Sequence, residues 1–250
     1  LSPRVINQET FEAYFRVFAE VRNLMSAHGK RGVQGSIGNF TKELIAGFPA
    51  APSTIPIATL RTKGTELWNK GRDFVKTGYA AGEADDRILY FSRLEAMAVL
   101  RDIQNRGLTA LSETELETFE YYSRGFEINA QGKTVVNFGT TTNNVLVTGF
   151  DPFQLYYSGL ISNTAGLIAL GLPPALNVMS SSNSTVTYNV KTALFPVRFR
   201  DFGNIPDVPG VVEEVMEQAV KDCVMIMTCS WTGQKEFRID RFAAKYRALG

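Results

Sequence analysis

The sequence predicts an α/β protein: a helical N-terminal region of about 135 residues followed by a mostly parallel α/β sheet. Three observations lead there. Apolar residues recur at helical spacing through the first half. A Thr-, Asn- and Gly-rich stretch at 131–144 interrupts the pattern. Beyond it, short apolar runs alternate with helical segments, as in sheets whose strands are buried on both faces. The division is therefore 1–135 and 144–250.

In the first region, Phe11, Tyr14, Phe18, Val21 and Met25 share one helical face, and Gly29 follows as a C-cap. Pro49, Pro52 and Pro56 break the next stretch, and a short helix is expected at 65–75. Asp85-Asp86 can cap a long helix to Gln104, with Tyr90, Leu94, Met97, Leu100 and Ile103 on one side. Ser112 and Glu115 have capping-box spacing before a helix reaching Ser123. In the second region we expect a strand at 145–148, a helix at 162–172 and a polar loop at 176–184. An extended segment at 186–199, a helix at 211–221 and a strand at 224–229 follow.

Composition narrows the function classes. The chain has 250 residues, 44% hydrophobic and 20% charged, enough for a core. Lys+Arg is 26 against Asp+Glu 25, so no basic excess points to nucleic acid or to an anionic membrane. No apolar run reaches the roughly 18 residues of a spanning helix, and no signal-peptide pattern opens the chain. The chain starts with Leu1 rather than Met, so we expect native sequence upstream, and the far end also invites a continuation.

There are two cysteines and one histidine. Cys223 and Cys229 flank an apolar run. As a strand it would separate their Cα atoms by about 20 Å, too far for a bridge. This usage fits a reducing compartment, and a cytoplasmic location is expected. Both cysteines read as small buried apolar residues, and His28 as a cation in the last turn of the first helix. Gly32, Gly35 and Gly38 follow no strand and lack a Lys-Ser/Thr, which argues against a phosphate loop. Asn39 and Asn183 sit in glycosylation-acceptor triplets, which carry meaning only in a secreted protein. Glu113, Glu115, Glu117 and Glu120, with Asp85-Asp86, read as a solvated helix face rather than metal ligands.

The most informative segment is Val145-Leu146-Val147-Thr148-Gly149-Phe150-Asp151-Pro152-Phe153. It is a strand ending in a Gly turn with two aromatic rings where the strand stops, the place at which open α/β sheets bind ligands. Two readings are open: the rings clamp a flat small group, or they pack the core under the turn.

The strand with its Gly-Phe-Asp-Pro-Phe ending resembles the opening of pyroglutamyl peptidase I, the pyrrolidone-carboxylate peptidases. Further matches follow in the family's order: Leu194-Phe195-Pro196-Val197, the 211–221 helix, the 224–229 strand, then Gly233, Arg241 and Ala243. The chain departs from the pattern at Gln154-Leu155, where the family has two glycines, and at Ser230, where it has Gln. The likeness covers about 144–250, the first half of that fold. It implies a three-layer, pyrrolidone-carboxylate-peptidase-like fold and a thiol protease, a hydrolase that removes N-terminal pyroglutamate without metal or cofactor. Its partner would be a peptide N-terminus or a small cyclic amide.

Residue by residue, the resemblance assigns Phe150 and Phe153 to the lactam pocket. Asn163 is a weaker substrate-binding match. Asp240 takes the acid position, one methylene shorter than the family's Glu; the rival reading is a surface salt bridge with Arg238 or Arg241. The family's Cys nucleophile and His base belong to the second half of its fold, so these 250 residues are expected to lack a complete Cys-His-acid site. Two other classes stand beside the peptidase. One is a non-catalytic binding module that keeps the fold. The other is an effector acting through its helical region.

Overall fold

A computed structural model describes residues 57–107, 112–136, 138–152, 162–196 and 211–230. The helix expected over Phe11 to Met25, His28, the Gly32–Gly38 run and Asn39 lie outside these residues.

Helix α1 spans Ile57–Ala81, more than twice the expected length. Gly64, just ahead of the expected start, lies inside the helix as a packing device: a Cβ would collide with the carbonyl oxygen of Phe126 on a neighbouring helix. The helix ends in a Schellman turn. Gly82 takes φ +73°, its N–H donates to the Tyr79 carbonyl (3.2 Å), and the Glu83 N–H donates to Gly78 (2.7 Å).

Helix α2, Arg87–Gly107, starts where expected, with Asp85 Oδ1 accepting the Arg87 N–H at 2.9 Å. Its buried stripe differs from the expected one. It consists of Leu89, Arg93, Ala96, Met97 and Leu100, while Tyr90 and Leu94 are half-buried. Helix α3, Glu113–Ala130, runs seven residues beyond the expected Ser123. A 3-10 turn at Lys133–Val136 follows.

Strand β1 is Asn144–Phe150, α4 is Thr164–Gly171, β2 is Ala175–Met179 and β3 is Thr185–Phe195. Helix α5 is Val211–Asp222 and β4 is Met225–Thr228. β2 corrects the loop expected at 176–184. Its residues pair antiparallel with β3, from Ala175 opposite Asn189 to Met179 opposite Thr185. Most of its side chains are exposed, so no buried alternation marks it, and only the hairpin tip is loop. Asn183 sits in that tip with φ +58°.

The sheet order is β2-β3-β1-β4. β1 runs parallel to β3 and to β4, with Val147 beside Thr192 and Met227, so the sheet is mixed and mostly parallel. Both faces of the centre are covered. On one, Leu194 joins Leu60, Leu67, Trp68, Leu89, Ala169 and Leu170, so the helices of the first region and the sheet share a core. On the other, Leu146, Ala193 and Phe195 pack against Val212, Val215 and Ala219 of α5 and against Val136 and Phe138. Among the described residues, no helix is long and apolar enough to cross a membrane.

Candidate functional site

Parallel pairing brings the carboxyl ends of β1, β3 and β4 to one edge of the sheet, and the residues there are built in two directions. Toward α5, the half-buried Phe150 ring meets Phe195 edge to face, centroids 6.3 Å apart at 65°. The Lys133 ammonium lies 5.6 Å from the Phe195 ring centroid. Toward α4, Gly149 has no side chain because none fits: a Cβ would strike the Ala165 carbonyl oxygen. The strand end and the start of α4 therefore touch backbone to backbone.

Asp151, 2% exposed, continues from Phe150. Its N–H extends the ladder to the Phe195 carbonyl at 3.0 Å. Its Oδ2 accepts from Arg93 Nη2 at 2.5 Å and, more weakly, from Gln131 Nε2 at 3.4 Å. Arg93 is as buried as Asp151. The pair is single-point rather than bidentate: among the described residues, Arg93 Nε and Nη1 and Asp151 Oδ1 have no hydrogen-bond partner, nor do Gln131 Oε1 and Thr192 Oγ1. Buried polar atoms left unpaired are costly, and three of them belong to the Arg93–Asp151 pair.

Asn163 caps α4. Its Oδ1 accepts the Ala165 N–H at 3.0 Å, and its Nδ2 donates to the Asp151 carbonyl at 2.9 Å. The Asn163 N–H in turn donates to both oxygens of Asp86, at 3.1 and 3.2 Å, and Ser162 Oγ donates to Asp86 Oδ1 at 2.5 Å. Burial pushes the Asp86 carboxyl up to about 7, against these hydrogen bonds, which favour the ionised form; neighbouring Asp85 pushes the same way as burial.

Of the residues assigned by resemblance, Phe150 and Asn163 lie on either side of the β1 end. Asn163 is engaged at both ends of its side chain, so it organises the turn. Phe153 and Asp240 lie outside the described residues. Asp85 and Asp86 are buried, at 7% and 1%, which corrects the solvated face expected for them. Both cysteines are partly buried with free thiols. Burial pushes both thiols up, helped at Cys223 by Asp222, so neither is poised as a thiolate.

Sequence reasoning missed Arg93, Gln131 and the role of Asp86. One signal was present: Arg93 sits inside the apolar stripe of α2, where a charge needs a partner. Among the described residues, no group of three or more His, Cys, Asp or Glu side chains is placed to hold a metal. Comparison with family models, with curated proteins and with solved structures returned no match.

Proposed function

We propose that residues 144–250 form the first half of a three-layer, pyrrolidone-carboxylate-peptidase-like domain, and that the carboxyl end of β1 takes a flat cyclic amide such as N-terminal pyroglutamate. The observation that carries the reading is the position of Phe150. It stands half-buried at the carboxyl end of a central parallel strand, in the Gly-Phe-Asp-Pro-Phe segment that resembles the peptidases. Phe153 is the second ring of this proposal and Asp240 its acid.

Pyroglutamyl cleavage needs a thiolate, a base and an orienting acid. The Cys223 and Cys229 thiols are both pushed up, and the single histidine is His28. For these 250 residues the proposal is therefore binding without turnover.

The test titrates pyroglutamyl amide into the chain by NMR and assays its hydrolysis in parallel. Weak saturable binding is expected, with shifts near Phe150. Removing one ring, in Phe150→Ala or Phe153→Ala, should weaken it about 2- to 10-fold, the worth of one aromatic contact beyond burial. Absence of saturable binding would overturn the lactam reading. Turnover abolished by Cys229→Ala would overturn binding without catalysis and place a nucleophile at the end of β4.

A further inference from the structure

We propose that α2 is a positioning clamp for this site, holding the two places where the chain leaves β1 and enters α4. The functional meaning of the clamp rests on the lactam reading above; its geometry does not. Asp86 immediately precedes α2 and Arg93 lies seven residues on, two helical turns or roughly 10 Å along the axis, so both project from one side. Arg93 grips Asp151, the residue after Phe150. Asp86 grips the Asn163 N–H and the Ser162 hydroxyl at the start of α4. The bond from Asn163 Nδ2 to the Asp151 carbonyl closes the circuit. The two described members of the proposed site, Phe150 and Asn163, are thus located by one helix of the N-terminal region.

Three features point to positioning rather than to stability alone. A buried single-point ion pair gives little net stability compared with apolar side chains of the same volume, yet it fixes direction and register. Arg93 interrupts an otherwise apolar stripe of Leu89, Ala96, Met97 and Leu100. Gly166 leaves room for the Asp86 carboxylate: a Cβ there would stand 2.7 Å from Asp86 Oδ2 and 2.8 Å from the Phe150 carbonyl oxygen. The close approach of α2, α4 and β1 is therefore built into three separate elements.

The experiment compares Arg93→Met, Arg93→Lys and Asp86→Asn with Leu100→Ala. Leu100 is a buried residue of the same helix, about two turns beyond Arg93, and its apolar side chain makes none of the circuit's hydrogen bonds. Two readouts are taken below the unfolding range: pyroglutamyl amide affinity, and hydrogen exchange at the amides of Asp151, Asn163 and Ala165 with no ligand present. Arg93→Met and Asp86→Asn should speed that exchange by about tenfold over Leu100→Ala and weaken the probe by a similar factor, as misplacement of a site does. Arg93→Lys should restore most of both, because its charge still reaches Asp151. If Arg93→Met does not fold, Arg93→Lys and Asp86→Asn decide. Exchange and affinity that only track Leu100→Ala would overturn the clamp, even with the probe bound. A wild-type chain that ignores the probe while its exchange responds would keep the clamp and end the lactam reading.

Discussion

The two ends of β1 solve the same problem in opposite ways. At the amino end, Asn144 is 2% exposed and its side chain is saturated. Its Nδ2 donates to the carbonyls of Thr141 (2.7 Å) and Asp222 (3.0 Å), and its Oδ1 accepts from Thr141 Oγ1 (2.8 Å) and Asn189 Nδ2 (3.4 Å). This plug is neutral and ties β1 to β3 and α5. At the carboxyl end, equal burial is filled with charge: Arg93, Asp151 and Asp86, with unpaired atoms on the first two. Natural cores give up local consistency where geometry matters more than stability. The contrast sets a charged end at Asp151, incompletely paired among the described residues, against a neutral, saturated end at Asn144, and the proposed site lies at the first.

The sharpest way to break this comparison is to remove one charge. Arg93→Met leaves the Asp151 carboxylate buried without its ion-pair partner and should cost about 3–5 kcal/mol. Asn144→Ala removes several neutral hydrogen bonds and should cost about 1–3 kcal/mol. Urea unfolding of both variants ranks them. The double variant Arg93→Met/Asp151→Leu should recover most of the single loss, because apolar replacement of both partners removes the buried charge altogether. If Asn144→Ala proves the more damaging, the two ends are ordinary core and the contrast fails.

The next test uses pH. The folded Asp86 carboxyl titrates at about 7, against an ordinary value of 3.8. Between these values the folded chain keeps a proton that the unfolded chain has lost. The stability this group contributes is therefore full below about pH 4, falls as pH rises toward 7 and is flat above. Asp86→Asn should cancel that slope: whatever constant cost its altered hydrogen bonds carry, its stability relative to the wild type should rise between pH 5 and pH 8 by on the order of a few kcal/mol at most. The charge most directly bearing on this titration is Asp85, itself paired with Arg87. The Tyr79 hydroxyl is pushed up by burial and by the charge of Asp86. Asn144→Ala should lower stability by the same amount at both pH values. Parallel pH curves for wild type and Asp86→Asn would show that the buried carboxyl is not the source.

How much of this was legible follows from where each signal lives. The apolar run at Val145–Thr148, the Gly149-Phe150 ending and the α5 and β4 segments carry their pattern within a few residues, and they were found. The expected helix at 65–75 stopped short of Gly64 and Gly78, which lie inside α1, where each leaves room for another segment of chain. β2 escaped because this short edge strand, Ala175–Met179, is mostly exposed and has no buried face to impose alternation, and the Ser- and Asn-rich hairpin tip that follows it reads as loop. The circuit at the carboxyl end was the least legible part. Arg93 meets a partner 58 residues away and Asp86 one 76 residues away, and no local spacing encodes either contact.

The smallest effect sharpens the comparison most, because it separates capping from the circuit. Asn163→Ser keeps a good N-cap oxygen for the Ala165 N–H but loses the donor to the Asp151 carbonyl. The expected loss is about 1 kcal/mol, that of one neutral hydrogen bond. Asn163→Asp also keeps the cap and loses the donor, but it adds a carboxylate beside Asp86. A second negative charge raises a neighbouring carboxyl further. The pH dependence of Asn163→Asp should therefore steepen and its midpoint move above 7, while Asn163→Ser keeps the wild-type profile. The same exchange made at the amino end, Asn144→Asp, meets no buried carboxylate: Asp222 reaches Asn144 only through its backbone carbonyl. If Asn144→Asp and Asn163→Asp give the same pH profile, charge is not what distinguishes the two ends of β1, and the carboxyl end loses its claim to be the working one.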